Sequence, residues 1–88
     1  MYSLSIRPSL DEKLRKLVKR NRKAYEIVMK KTREILFDPQ HYKNLHPPLQ
    51  NLKRVHIDKN FVLTFSVDES TKTVVLEDFD HHDKIYER

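Results

Sequence analysis

The chain has 88 residues, with 18 Lys/Arg against 13 Asp/Glu for a formal net charge of +5, and it contains neither cysteine nor glycine. That length makes a single domain over 1–88 with a thin core. The missing cysteines exclude disulfides and thiolate metal sites, and the missing glycines exclude a Gly-rich phosphate loop.

Charge divides along the chain. Residues 1–56 hold 14 Lys/Arg against 5 Asp/Glu, and residues 57–88 hold 4 against 8. A basic half of this density attracts nucleic acid or an acidic protein segment, although a merely solvated helical face has the same composition. No apolar run approaches the roughly 20 residues of a membrane span, and the N-terminus has no signal-peptide core. A cytoplasmic protein with no membrane partner is expected.

The elements follow in order. Tyr2, Leu4 and Ile6 alternate with Ser3, Ser5 and Arg7, which predicts a half-buried first strand ended by Pro8. Ser9 with Glu12 three residues on predicts a capping box for a helix whose Leu10, Leu14, Leu17 and Val18 share one face. Asn21 breaks that run. A second helix is expected from about Arg22 to Phe37, with Ala24, Ile27, Val28, Ile35 and Leu36 as its apolar set. So short a connection predicts an antiparallel helical hairpin. Its outward positions are mostly basic and include Lys13, Lys16, Lys19, Arg20, Lys23, Lys30 and Arg33.

Asp38-Pro39 stops the second helix, and a loop runs to Lys53. Within it His46-Pro47-Pro48 is stiff, because a residue before proline is driven to an extended conformation. Leu49 and Leu52 are expected to anchor the loop. Three strands close the chain: one through Val55 and Ile57, a turn at residues 58–60 relying on Asn60 for positive φ, one from Phe61 to Val67, and one from Thr73 to Phe79. The run Val74-Val75-Leu76 reads as buried on both faces, as in a central strand. Asp80 to Tyr86 reads as a tail with one helical turn capped by Asp80. The fold class is therefore α+β: an N-terminal strand, an antiparallel helical hairpin, and a three-stranded antiparallel meander, all in one mostly antiparallel sheet.

Histidines gather at the strand ends. His56 ends one strand, and His81-His82-Asp83 follow another. Adjacent histidines rarely converge on one ion, so no metal is expected there. Cutting RNA without a metal requires a base for the 2′-hydroxyl, an acid for the leaving 5′-oxygen and a cation for the phosphate. Histidine can serve in either of the first two roles near neutral pH. Taken alone, each of these residues has a plainer reading: a half-exposed strand-end histidine, a solvated tail, a tyrosine pinning that tail to the core.

The order of elements, with H-P-P-L and R-V-H-I-D-K-N-F-V-L-T-F at its centre and H-H-D-K-I-Y at its end, resembles the RelE/ParE superfamily of type II toxins. The similarity is greatest to the YafQ-like and RelE/StbE-like mRNA interferases and spans the whole chain. It implies a toxin that cuts mRNA in the ribosomal A site, needs no cofactor, and is silenced by an acidic, wrapping, RelB-like antitoxin. Operator DNA would be met only through that antitoxin. Carried over by motif, the family's catalytic positions fall on His46, His56, His82 and Tyr86. His82 is then the expected acid, and His56 or His46 the base. Lys53, Arg54, Asn60 and Phe61 become the expected RNA or phosphate contacts, and the basic helices face ribosome or antitoxin. Asn60 stands where YafQ-like members carry aspartate, and Val62 and Thr64 stand where RelE itself uses cations. Two other readings remain open: a ParE-like gyrase inhibitor that cuts nothing, and a degenerate toxin that acts only as a co-repressor.

Overall fold

The computed structural model describes residues 1–86, with Tyr86 described in its backbone only. The elements are β1 (Ser3–Ile6), α1 (Pro8–Arg20), α2 (Arg22–Phe37), a 3-10 turn (Pro39–His41), β2 (Lys53–Ile57), β3 (Phe61–Asp68), β4 (Thr73–His81) and α3 (His82–Tyr86). The four strands form one sheet in the order β1-β4-β3-β2. The β2–β3–β4 meander is antiparallel, and β1 joins β4 in parallel. The α+β reading holds.

Proline opens α1 rather than merely ending β1. Pro8 occupies its first turn, where a missing N–H costs nothing, and Arg7 precedes it without a side-chain cap. The expected Ser9–Glu12 capping box does not form. Between the helices a single residue, Asn21, accepts a hydrogen bond from the Ala24 N–H at 3.1 Å and so starts α2. Replacing Asn21 with alanine should lower the unfolding free energy by about 1 kcal/mol, readable in urea titrations.

Both helices lay their apolar faces against the sheet. Leu10 and Leu14 of α1 and Val28 and Ile35 of α2 join Ile57, Leu63, Phe65, Val74, Leu76 and Phe79 in one core. Two-sided burial falls on β3 rather than β4. Four successive residues, Val62, Leu63, Thr64 and Phe65, are all essentially inaccessible, whereas Val75 is half-buried. Both strands are interior, but α3 folds back onto β3 and β4 and buries Ile85, which adds cover at that end. The loop anchor also differs from expectation. Leu45 and Pro39 are buried, whereas Leu49 and Leu52 are only half-buried.

With no glycine available, Asp58 (φ 55°) and Lys72 (φ 52°) take the two left-handed corners. Asp58, not Asn60, therefore turns the β2–β3 hairpin. Asp commonly tolerates this region because its short side chain can hydrogen-bond locally.

β1 pairs with β4 only as far as Leu76. Past that point cations from the α1 side meet the strand. Arg7 pairs with Glu77 at 2.9 Å, and Lys13 reaches Asp78 at 2.8 Å and Asp80 at 3.3 Å. Burial alone would lower the Lys13 ammonium pKa, but the hydrogen bonds and charges of Asp78 and Asp80 outweigh it and hold the group above its ordinary value. Asp80 responds in kind. Burial pushes its carboxyl up, yet the His81 N–H and Lys13 hold it below the usual carboxylate value.

Candidate functional site

Ile57 pairs with Phe61 across the three-residue turn, and Phe61 pairs with His81 at the end of β4. These two registers bring the end of β2, the turn and the start of α3 to one corner of the sheet. His56 lies one residue before the end of β2, and His82 is the first residue of α3. The His82 N–H donates to the Asn60 carbonyl at 2.8 Å, which fixes the start of α3 against the turn. The two imidazoles lie nearly parallel, with centroids 6.0 Å apart and planes 18° apart. They line an open cleft of about 430 Å³ together with Lys59, Asn60, His81 and Asp83.

Both histidines are exposed, so a substrate can reach them. The His82 Nδ1 lies 3.5 Å from Asp83 Oδ1, too long for a strong hydrogen bond. Near-parallel rings at this separation could each address a different oxygen of one phosphodiester at a hydrogen-bond distance of about 2.8 Å. That is the minimum geometry for acid–base transfer on either side of a phosphate.

The other residues singled out from sequence fall elsewhere. His46 is exposed on the loop before β2 and is not among the residues lining the cleft. Its loop is tied by the Asn44–Lys53 bridge to the far end of β2, about 10 Å along the strand from His56. Lys53 is buried, and its ammonium donates to the Tyr42 carbonyl at 3.0 Å and to Asn44 Oδ1 at 2.9 Å. It ties the loop down instead of facing the cleft. Arg54 is half-buried and in register with Thr64, two residues from His56 on the same strand. Asn60 lines the cleft, but its defined contact is made by its backbone carbonyl. Phe61 stacks on Phe79 at 5.0 Å and meets His81 at 4.6 Å, and it lines a neighbouring depression. The side chain of Tyr86 lies outside the described residues.

Lys59 is the cation that lines the cleft, and sequence reading passed over it as an ordinary turn residue. Its signal was its place between His56 and Phe61 in a tight hairpin, which keeps it at the same sheet corner as the strand-end histidines. Of the basic helical positions, Lys13 is engaged with Asp78 and Asp80, whereas Lys16, Lys19, Arg20, Lys23, Lys30 and Arg33 are exposed. Among the described residues, no group of three His, Asp or Glu side chains is placed to hold a metal ion. No helix among the described residues is long and apolar enough to cross a membrane.

A helical pair on a four-stranded sheet is an architecture shared with solved toxins from toxin–antitoxin pairs. The intact Escherichia coli RelBE complex contains a chain that superposes with a TM-score of 0.76 at 18% identity, over 92% of this chain and 96% of that one. No family model matches the sequence. Full-length relatives do. A protein of Methanocaldococcus jannaschii named "Putative toxin RelE4" is 57% identical over 100% of this chain and 94% of its own. An uncharacterized protein of Methanosarcina mazei is 59% identical over 98% of this chain and 100% of its own. The chain belongs to the RelE-like family of type II toxins.

Proposed function

We propose that this toxin is a ribosome-dependent mRNA endonuclease that stops translation by metal-independent acid–base cleavage. The observation that carries the reading is the His56–His82 pair, two exposed imidazoles 6.0 Å apart in one cleft. In it, one histidine removes the 2′-hydroxyl proton, His82 protonates the leaving 5′-oxygen, and Lys59 neutralises charge on the phosphate. The products are a 2′,3′-cyclic phosphate and a 5′-hydroxyl. His46 is left without a role in this geometry. Arg54, in contrast, remains a candidate phosphate contact through its position beside His56 on β2.

So open a site does little to position a flexible RNA by itself. A ribosome that presents the mRNA in a fixed geometry supplies the orientation the toxin lacks. The exposed Lys16, Lys19, Arg20, Lys23, Lys30 and Arg33 give it a basic face for ribosomal RNA or for an acidic antitoxin segment. Acting on ribosomes places the toxin in the cytoplasm.

The test uses ribosomes translating a defined mRNA, with new 5′ ends mapped after the purified toxin is added. Cuts within the A-site codon are expected. Growth arrest by a folded toxin that produces no new 5′ ends would reject the nuclease in favour of a gyrase-binding toxin. Absence of both cuts and arrest would favour a co-repressor.

A further inference from the structure

The Phe61 and His81 rings, 4.6 Å apart, form a wall with a depression on each side. One side is the histidine cleft. The other is a hollow of about 220 Å³ between α1 and the ends of β3 and β4, where Lys13, Lys16 and Arg20 surround the apolar Leu17, Phe61 and Phe79. We infer that this hollow is a subsite for the nucleotide next to the scissile phosphate, with its base on the apolar floor and its phosphate on Lys16 and Arg20. The inference rests on the nuclease reading for its place along the RNA.

Three observations support it. The hollow adjoins the cleft through a single pair of ring side chains, so a strand leaving the histidines in that direction enters it within one nucleotide. Its rim cations differ in state. Lys13 is held by Asp78 and Asp80 and so is fixed in place, whereas Lys16 and Arg20 are exposed and make no ion pair among the described residues. An apolar floor edged by free cations is the pairing that single-stranded nucleic acid uses, base on ring and phosphate on ammonium or guanidinium. Asp80 also lines the hollow. Its carboxylate accepts hydrogen bonds from base N–H groups, which the acceptor-only carboxylates of an acidic peptide, the rival occupant, do not supply. The observations therefore favour RNA.

The experiment is an NMR titration of the ¹⁵N-labelled chain with a tetranucleotide made non-cleavable by 2′-deoxy sugars, beside versions abasic at one position. Shifts are expected at the amides of Leu17, Phe61 and Phe79 as well as at His56 and His82, and one abasic position should remove only the first group. The Lys16→Ala/Arg20→Ala double variant should bind about tenfold more weakly. Its log–log salt slope should fall by about 1.4, the amount for two single-strand phosphate contacts. Shifts absent from Leu17, Phe61 and Phe79 overturn the subsite, whether or not the histidine cleft responds. So does a double variant that keeps its affinity and slope for the tetranucleotide while losing affinity for a poly-glutamate peptide. If Leu17, Phe61 and Phe79 respond but the wild type cuts nothing on ribosomes, the nuclease reading falls and the nucleotide site stands.

Discussion

Replacing His56 and His82 together by alanine is expected to reduce cleavage on programmed ribosomes by about 10²- to 10⁴-fold, the range that positioned acid–base groups contribute. The loss should belong to chemistry and not to folding. Both side chains are exposed, and substitutions at such positions usually change stability by less than about 0.5 kcal/mol. Each single variant should lose nearly as much as the double, because an acid and a base that act in one transfer are not additive. The pH profile is the more telling readout. A bell shape for the wild type should lose one limb in His56→Ala and the other in His82→Ala, which would also say which residue is base and which is acid. A double variant that cuts within threefold of wild type would remove the histidine pair from the mechanism. The same assay on His46→Ala separates geometry from motif. Because His46 stands on a loop tied to the opposite end of β2, a small effect is expected.

Much of this arrangement can be read from the chain, and the failures have identifiable physical causes. The second helix is legible to the residue, because Asn21 can cap and Pro39 cannot continue. The strand pattern is legible too, since period-two alternation survives even without glycine turns. The capping box at Ser9 fails because Pro8, with its fixed φ and absent N–H, already suits the first turn, so the helix starts two residues early. Lys53 misleads because a lysine beside a histidine strand reads as a free cation, while nothing local says that its ammonium will meet the Tyr42 carbonyl and Asn44. Burial on both faces of β3 is helped at one end by α3, an element of five residues that packs on β3 and β4, buries Ile85 and leaves no periodic trace. In the site, the histidines are visible as residues but their meeting is not. It depends on two strand registers and on the hydrogen bond from His82 to the Asn60 carbonyl, and a backbone carbonyl is the same for every residue type. This also bears on Asn60 standing where the resemblance to YafQ-like toxins leads one to expect aspartate. The contact that this position makes here would survive either side chain.

The position of His82 should prove as vulnerable as its imidazole. α3 has five residues, too few to be stable as an isolated helix, so its packing must come from the sheet. Ile85, 2% exposed, is its buried anchor. Ile→Ala at a buried site costs about 2–5 kcal/mol. That is more than one short helix is expected to hold in reserve, so the loss should appear first as undocking of α3 and only partly as global unfolding. Ile85→Ala should therefore keep the core of Phe65, Leu76 and Ile35 folded and yet cut mRNA far more slowly than wild type, with His82 chemically intact. A catalytic group allowed to wander by about 1 Å can lose about 10²-fold in rate. Hydrogen exchange distinguishes this from simple destabilisation. The His82 N–H, bonded to the Asn60 carbonyl, should lose protection, while amides in the part of β4 paired with β1 retain theirs. Ile85→Val, which costs only about 0.5–1.5 kcal/mol, should restore most of both the protection and the activity. Wild-type cleavage by Ile85→Ala, with the His82 amide exposed to exchange, would show that the ribosome itself orders the C-terminal turn. The docked geometry of the free toxin would then not be what places the acid.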